Sequence, residues 1–277
     1  MEQYRRGDLV FDVLDRGPDD GPPVILLHGF PQFNTSWNPI MDRLVAQGYR
    51  CLAPNQRGYS PGARPLRRRD YTADQLADDV IGLIDTIGAP KAHLVGHDWG
   101  AAVAWAVAGR APGRLASLTA LSVPHNAAFL KAMVTSKQGL ASWYMLAFQL
   151  PKLPERFLRG RAGQKFLAEY GGQLPEFAER DMATMAQTGA LTAALNWYRA
   201  LPFSDFRQAR TRITVPTMYI WSNKDKALME RGGRDTARFV DADYRYEILH
   251  GVTHWMVDQV PDTIADMLLE WFAAHPS

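Results

Sequence analysis

The chain has 277 residues and a mass of 31.0 kDa, enough for one large domain or two small ones and for a sizeable core. Its 31 Lys and Arg against 29 Asp and Glu leave a net charge of +2, too balanced for a dedicated nucleic-acid or polyanion binder. A single cysteine, Cys51, excludes a disulfide framework and a cysteine-based zinc site and fits a reducing compartment.

Arg5 and Arg6 could imitate a twin-arginine signal, but only Leu9-Val10-Phe11 follows as an apolar cluster, far short of an export h-region. No apolar run reaches membrane-spanning length. The sequence predicts a soluble, cytoplasmic protein. Strand-like and helix-like pieces then alternate. Leu9 to Leu14 reads as a strand, as does the buried-type run Val24 to Leu27, which ends in His28-Gly29. A helix follows over Ser36 to Gln47, then a strand over Tyr49 to Pro54. Leu76, Val80, Leu83, Ile84 and Ile87 recur at helical spacing between Ala73 and Ile87. The strand Ala92 to Val95 leads into Gly96-His97-Asp98-Trp99-Gly100 and an alanine-rich helix, and Leu115 to Val123 gives one more strand.

From about His125 to Arg210 the chain is rich in Met, Trp, Tyr, Pro and Gly and shows no clear strand, which predicts a helical insertion. Strands resume at Thr217 to Trp221 and Tyr244 to Leu249, and a last helix spans Thr263 to Ala273. Alternating strands and helices predict an α/β fold with a mostly parallel sheet and helices on both faces. The expected division is a core of 1–125 and 210–277 with an inserted helical cap at 126–209.

The segment Gly96 to Gly100 has the form Gly-x-nucleophile-x-Gly between a strand and a helix. Such an elbow needs small residues on either side of a strained turn, and the helix N-terminus beyond it favours negative charge. The bland alternative is an Asp that only caps the helix. Gly58-Tyr59-Ser60-Pro61-Gly62 has the same pattern with serine, but its strand ends too early and Arg64, Pro65, Arg67, Arg68 and Arg69 follow where a helix should start. Ser60 is therefore rejected, and the basic run is read as a solvated loop.

An Asp nucleophile is already ionised at neutral pH. Its attack on a saturated carbon gives an ordinary ester that water can open, so the expected substrates are epoxides or alkyl halides. Of seven histidines, His254 sits after the strand Tyr244 to Leu249, at the end of the sheet where such folds place their sites. His250 is its rival. Asp225, after the preceding strand, can orient the imidazole, and the order Asp98, Asp225, His254 is nucleophile, acid, histidine. His28-Gly29-Phe30-Pro31 and the residue after the nucleophile offer backbone donors at Phe30 and Trp99, while His28 itself reads as structural. No clustered His and Cys ligands and no phosphate-binding glycine loop are present, so neither a metal nor a cofactor is expected.

Together, His28-Gly29-Phe30-Pro31, Trp37, Arg57-Gly58-Tyr59-Ser60, Gly96 to Gly100, Asp225 and His254-Trp255 resemble the epoxide hydrolases of the α/β-hydrolase fold, in their soluble, bacterial type. The resemblance implies a hydrolase acting on ether bonds, with a small-molecule epoxide and water as partners and Phe30, Trp99 and Trp37 at the oxyanion and substrate site. Leu195-Asn196-Trp197-Tyr198-Arg199 and Trp143-Tyr144-Met145-Leu146-Ala147-Phe148-Gln149 resemble the family's two cap-tyrosine motifs, which implies that Tyr144 and Tyr198 protonate the opening epoxide. The first alternative is a haloalkane-type dehalogenase. Many of those carry Asn where Phe30 stands, and many place the triad acid after the strand Leu115 to Val123, where Ser122 to Asn126 contains none. The second is a non-catalytic ligand-binding relative, which would usually lack a triad member.

Overall fold

The computed structural model describes residues 1–187, 189–205 and 207–277, apart from the side chains of Tyr170 and Gln208. Its strands are β1 (Gln3–Arg6), β2 (Leu9–Arg16), β3 (Pro23–Leu27), β4 (Arg50–Pro54), β5 (Ala92–His97), β6 (Leu115–Leu121), β7 (Thr217–Ser222) and β8 (Tyr244–Leu249). They form one sheet in the order β1-β2-β4-β3-β5-β6-β7-β8. The pairings β1–β2 and β2–β4 are antiparallel and all others parallel. Every residue of β5, β6 and β7 is buried, as parallel strands covered on both faces require.

The sheet is covered by α1 (Asn38–Ala46) and, from the C-terminus, by α13 (Pro261–Ala274) on one face, where Ile40, Leu44, Ile264 and Leu268 join Leu26 and Val95 in one apolar cluster. On the other face α2 (Ala73–Thr86) and α3 (Trp99–Arg110) bring Val80, Leu83, Val103 and Val107 against Ile25 and Leu118. Between β6 and β7 the α-helices among the described residues are α4 (Asn126–Thr135), α5 (Gln138–Ala141), α6 (Trp143–Ala147), α7 (Leu153–Arg159), α8 (Arg161–Lys165), α9 (Pro175–Met185) and α10 (Ala190–Ala200). The short α11 (Glu230–Thr236) and α12 (Met256–Gln259) complete the set. No helix among the described residues is long and apolar enough to cross a membrane.

The insertion is tied to the core at specific points. Leu195, Trp197 and Tyr198 share a cluster with Phe30 and Tyr59, and the Trp197 indole N–H donates to the Arg57 carbonyl at 2.8 Å. Arg57 is itself fixed by a buried two-pronged pair with Asp79, both contacts at 2.7 Å. Within the insertion, Arg199 of α10 grips Glu155 of α7 at 2.7 and 3.0 Å and donates to the Phe148 carbonyl at 2.9 Å. A buried bidentate pair of this kind fixes geometry more than it adds stability. Here it sets the helix carrying Tyr198 against the segment that follows Tyr144.

Two sequence expectations shift. The strand β1 is absent from the periodicity because its sequence is Gln-Tyr-Arg-Arg, with Tyr4 alone facing the core from an edge position. The helix expected from Ser36 begins instead at Asn38, after a tighter turn over Asn34–Trp37. Pro39 lacks an N–H and is accommodated in a first helical turn, so it marks the start.

Candidate active site

Asp98 follows β5 and precedes α3, with φ 52° and ψ −121°. A left-handed φ on a non-glycine residue is strained and survives only where the surroundings enforce it. The enforcement is close packing. A Cβ on Gly96 would collide with the Gly100 backbone, one on Gly100 with the Leu27 carbonyl, and one on Gly29 with the Asp98 side chain. Gly100→Ala is therefore expected to push β3 and α3 apart. A loss of about 1–3 kcal/mol should appear in denaturant unfolding, together with loss of the elbow geometry. Unchanged unfolding would show that the turn can relax.

The two carboxylate oxygens of Asp98 have different surroundings. Oδ1 accepts the Phe30 backbone N–H at 2.9 Å. Oδ2 lies 3.5 Å from His254 Nε2. On the far side of the ring, His254 Nδ1 contacts Asp225 Oδ2 at 2.8 Å, while Asp225 Oδ1 accepts the backbone N–H groups of Ala227 and Leu228 at 2.8 and 2.9 Å. The three residues the sequence singles out thus form a continuous line. Trp99 is the first residue of α3, a position whose amide the helix does not use for itself.

The electrostatics follow from this line. Burial pushes the Asp98 carboxyl up, but the hydrogen bond and charge of His254 outweigh it and hold the pKa below the usual range. Burial pushes His254 down, and Asp225 and Asp98 together reverse this and raise it to about 10. Its two acidic neighbours thus favour the protonated form of the ring.

Above Asp98 lie the aromatic side chains of the insertion. The Tyr198 ring stands edge-on to Phe30, Trp99 and Phe148 at centroid distances of 5.7, 5.0 and 4.9 Å. Tyr144 is 6.1 Å from Tyr198, ring to ring. The Gln149 amide donates to the Tyr198 carbonyl at 2.8 Å and so links the two segments. Burial, followed by the negative charge of Asp98, raises the Tyr198 phenol well above its ordinary pKa, so it stays protonated. Asp98, Tyr144 and Tyr198 together line a cavity of about 500 Å³ that runs on past Trp99, Val103 and Leu146. They also line a smaller one of about 70 Å³ beside Phe30, His254 and Trp255.

Other sequence-selected residues fall elsewhere. Trp37 does not reach the site, contrary to its expected substrate contact: it is fully buried on the opposite face of the sheet with Leu26, Ile40 and Met41. That tryptophan is a packing residue, carried there by the tight turn before α1. Ser60 is fully buried, donates to the Asn55 carbonyl at 2.8 Å and accepts the Asp12 amide at 2.9 Å, so it braces a loop. Arg64 also departs from the solvated-loop reading, since its guanidinium holds the Gly58 and Tyr59 carbonyls at 3.0 and 2.7 Å. His250 is exposed and contacts Asn223, away from Asp98. His28 is buried and lowered by burial to about 4, and its Nε2 accepts the Gln56 amide.

Sequence reasoning missed the support behind His254. His97 Nε2 meets the His254 carbonyl at 2.9 Å, and the His97 and His254 rings lie 5.0 Å apart. Burial lowers the His97 pKa to about 4. Its Nδ1 faces the Gln32 amide at 3.1 Å, Gln32 contacts Asp258 at 2.8 Å, and Arg180 of α9 reaches Asp258 at 3.2 Å. The residues are scattered from 32 to 258, and no local spacing marks them as partners. Among the described residues no group of three or more His, Cys, Asp or Glu is arranged to hold a metal ion.

Comparison with known proteins bears on the fold and the family. A family model described as alpha/beta hydrolase fold matches residues 22–259. The AB hydrolase superfamily protein YfhM of Bacillus subtilis is 36% identical over 272 residues, 95% of this chain and 94% of that protein. Epoxide hydrolase A of Mycobacterium tuberculosis is 30% identical, with 94% and 92% covered. Among solved structures, epoxide hydrolase A from Mycobacterium thermoresistibile superposes with a TM-score of 0.84 at 26% identity, covering 98% of this chain and 97% of that one. The chain belongs to the alpha/beta-hydrolase-fold family and, within it, to the epoxide hydrolases.

Proposed function

We propose that the protein opens an epoxide to a vicinal diol through an ester on Asp98, and that the insertion acts as a cap that supplies the acid. The observation that carries this reading is the arrangement of Asp98 between two sets of groups. Phe30 N–H and His254 flank its carboxylate, and two phenols stand above it in a mostly apolar cavity.

In the first half, Asp98 Oδ2 attacks an epoxide carbon. The C–O bond breaks, and the departing oxygen takes a proton from Tyr198 or Tyr144, leaving a hydroxyl and a phenolate. Esterification removes the charge of Asp98, one of the two anions that keep His254 protonated. The imidazolium then gives its proton up to the phenolate, and the neutral ring becomes a base only after alkylation. In the second half His254 takes a proton from water, which attacks the ester carbonyl. The oxyanion on Oδ1 is held by the amides of Phe30 and Trp99. Collapse expels the glycol oxygen, which His254 protonates, and the acid left on Asp98 returns its proton to His254. Asp225 holds the ring orientation throughout.

The phenols distinguish this reading from a dehalogenase, since departing halide needs no proton. Replacing both Tyr144 and Tyr198 by Phe keeps the packing area and is expected to slow epoxide alkylation by roughly 10²–10⁴-fold, with each single change milder. Pre-steady-state alkylation rates check this. An unchanged rate in the double variant, or halide release from a bromoalkane in place of diol from styrene oxide, would sink the proposal.

A further inference from the structure

The first half of the insertion differs in composition from the rest of the molecule. Residues 126–165 carry seven Lys and Arg and one acid, Glu155, so the remaining 24 bases face 28 acids elsewhere. That acid is buried and held by Arg199. Five of the seven bases, Lys137, Lys152, Arg156, Arg159 and Arg161, are exposed and have no ion pair among the described residues. Interleaved with them are large apolar side chains left in water: Val134 is 85% exposed, Leu140 and Leu146 77%, Leu153 60% and Trp143 48%. Trp143 and Phe157 both lie edge-on to Phe166, at 6.0 and 5.9 Å, which joins α6 to α7 and the turn after α8. Single exposed apolar residues are ordinary, whereas a run of this kind marks a contact surface.

The same face contributes part of the cavity wall. Leu130 and Leu146 are exposed and also line the large cavity, together with Met133 and Gly139. The cavity that reaches Asp98 is therefore walled in part by exposed apolar residues of this face.

We infer that this face of the insertion docks on an anionic lipid bilayer. Apolar side chains with a half-exposed Trp suit the headgroup boundary, and unpaired Lys and Arg are attracted to anionic headgroups. A docked protein would draw apolar substrate from the lipid straight into the cavity. Docking itself involves no epoxide chemistry, so it stands or falls separately from the reaction proposed above.

The test is co-sedimentation of the full chain with vesicles of phosphatidylglycerol and phosphatidylcholine in equal parts, and with phosphatidylcholine alone, at low and high salt. The wild type should pellet with the anionic vesicles, weaken at high salt and ignore the neutral ones. Each neutralised base should lower partitioning about fivefold at low salt. A variant with Lys137, Lys152, Arg156, Arg159 and Arg161 all changed to Gln should thus lose binding by at least about 100-fold. Leu140→Ser with Leu153→Ser should weaken it independently. Both variants are at exposed positions outside the catalytic machinery, so their hydrolysis of a water-soluble substrate should match the wild type. Failure of the wild type to bind anionic vesicles would overturn the inference, as would full binding by the five-site variant. A dimer dissolved by the Leu-to-Ser changes, without vesicle binding, would assign the face to a second copy of the chain and overturn it equally.

Discussion

Asp98→Ala is expected to abolish turnover, with a fall on the order of 10⁴–10⁶-fold, while leaving the fold intact. Loss of a covalent nucleophile removes the whole pathway and leaves only binding and polarisation of the substrate. The change also relieves strain less than it costs function. Ala keeps the Cβ that the φ of 52° disfavours, so stability should alter little, and an unfolding curve separates fold loss from lost chemistry. Residual activity within tenfold of wild type would mean that water attacks the epoxide directly. Asp98→Asn is the poorer test, since the amide can be hydrolysed back to the acid.

His254→Gln should divide the reaction in two. In the proposed sequence Asp98 attacks unaided, so the variant still forms the ester. Its opening by water needs the base and should slow by roughly 10²–10⁴-fold. Intact mass after mixing with an epoxide should show protein plus one substrate, persisting for the length of the slowed hydrolysis. An unmodified variant would place His254 in the first half-reaction. Asp225→Asn should trap the same species more weakly, because in the proposed sequence Asp225 orients the ring and stabilises the imidazolium through the 2.8 Å contact.

The parts of the site that were legible in the sequence are those with local punctuation. The elbow is written in one pentapeptide because only glycine fits at 96 and 100. Asp225 and His254 each follow a readable strand, β7 and β8. Tyr198 is singled out by the resemblance of residues 195–199 to a family motif, not by local punctuation. What escaped is what depends on distant pairing. The His97–Gln32–Asp258–Arg180 chain unites four stretches of sequence, and its polar residues look like ordinary surface in any one of them. Trp37 shows the converse error: a residue near a functional loop in sequence turns to the other face of the sheet within one tight turn. The edge strand β1 was hidden by its charges. The basic and apolar residues of the insertion stand in the sequence, but only the fold shows which of them stay exposed.

The covalent ester on Asp98 is the central claim, and a single turnover in water labelled with heavy oxygen tests it most directly. With enzyme in excess over epoxide, no site reacts more than once. If the ester forms, the oxygen given to the substrate comes from the unlabelled carboxylate, and water delivers its own oxygen to Asp98. The diol should therefore be unlabelled and the peptide carrying Asp98 should gain mass. Labelled diol with an unchanged Asp98 peptide would contradict the account.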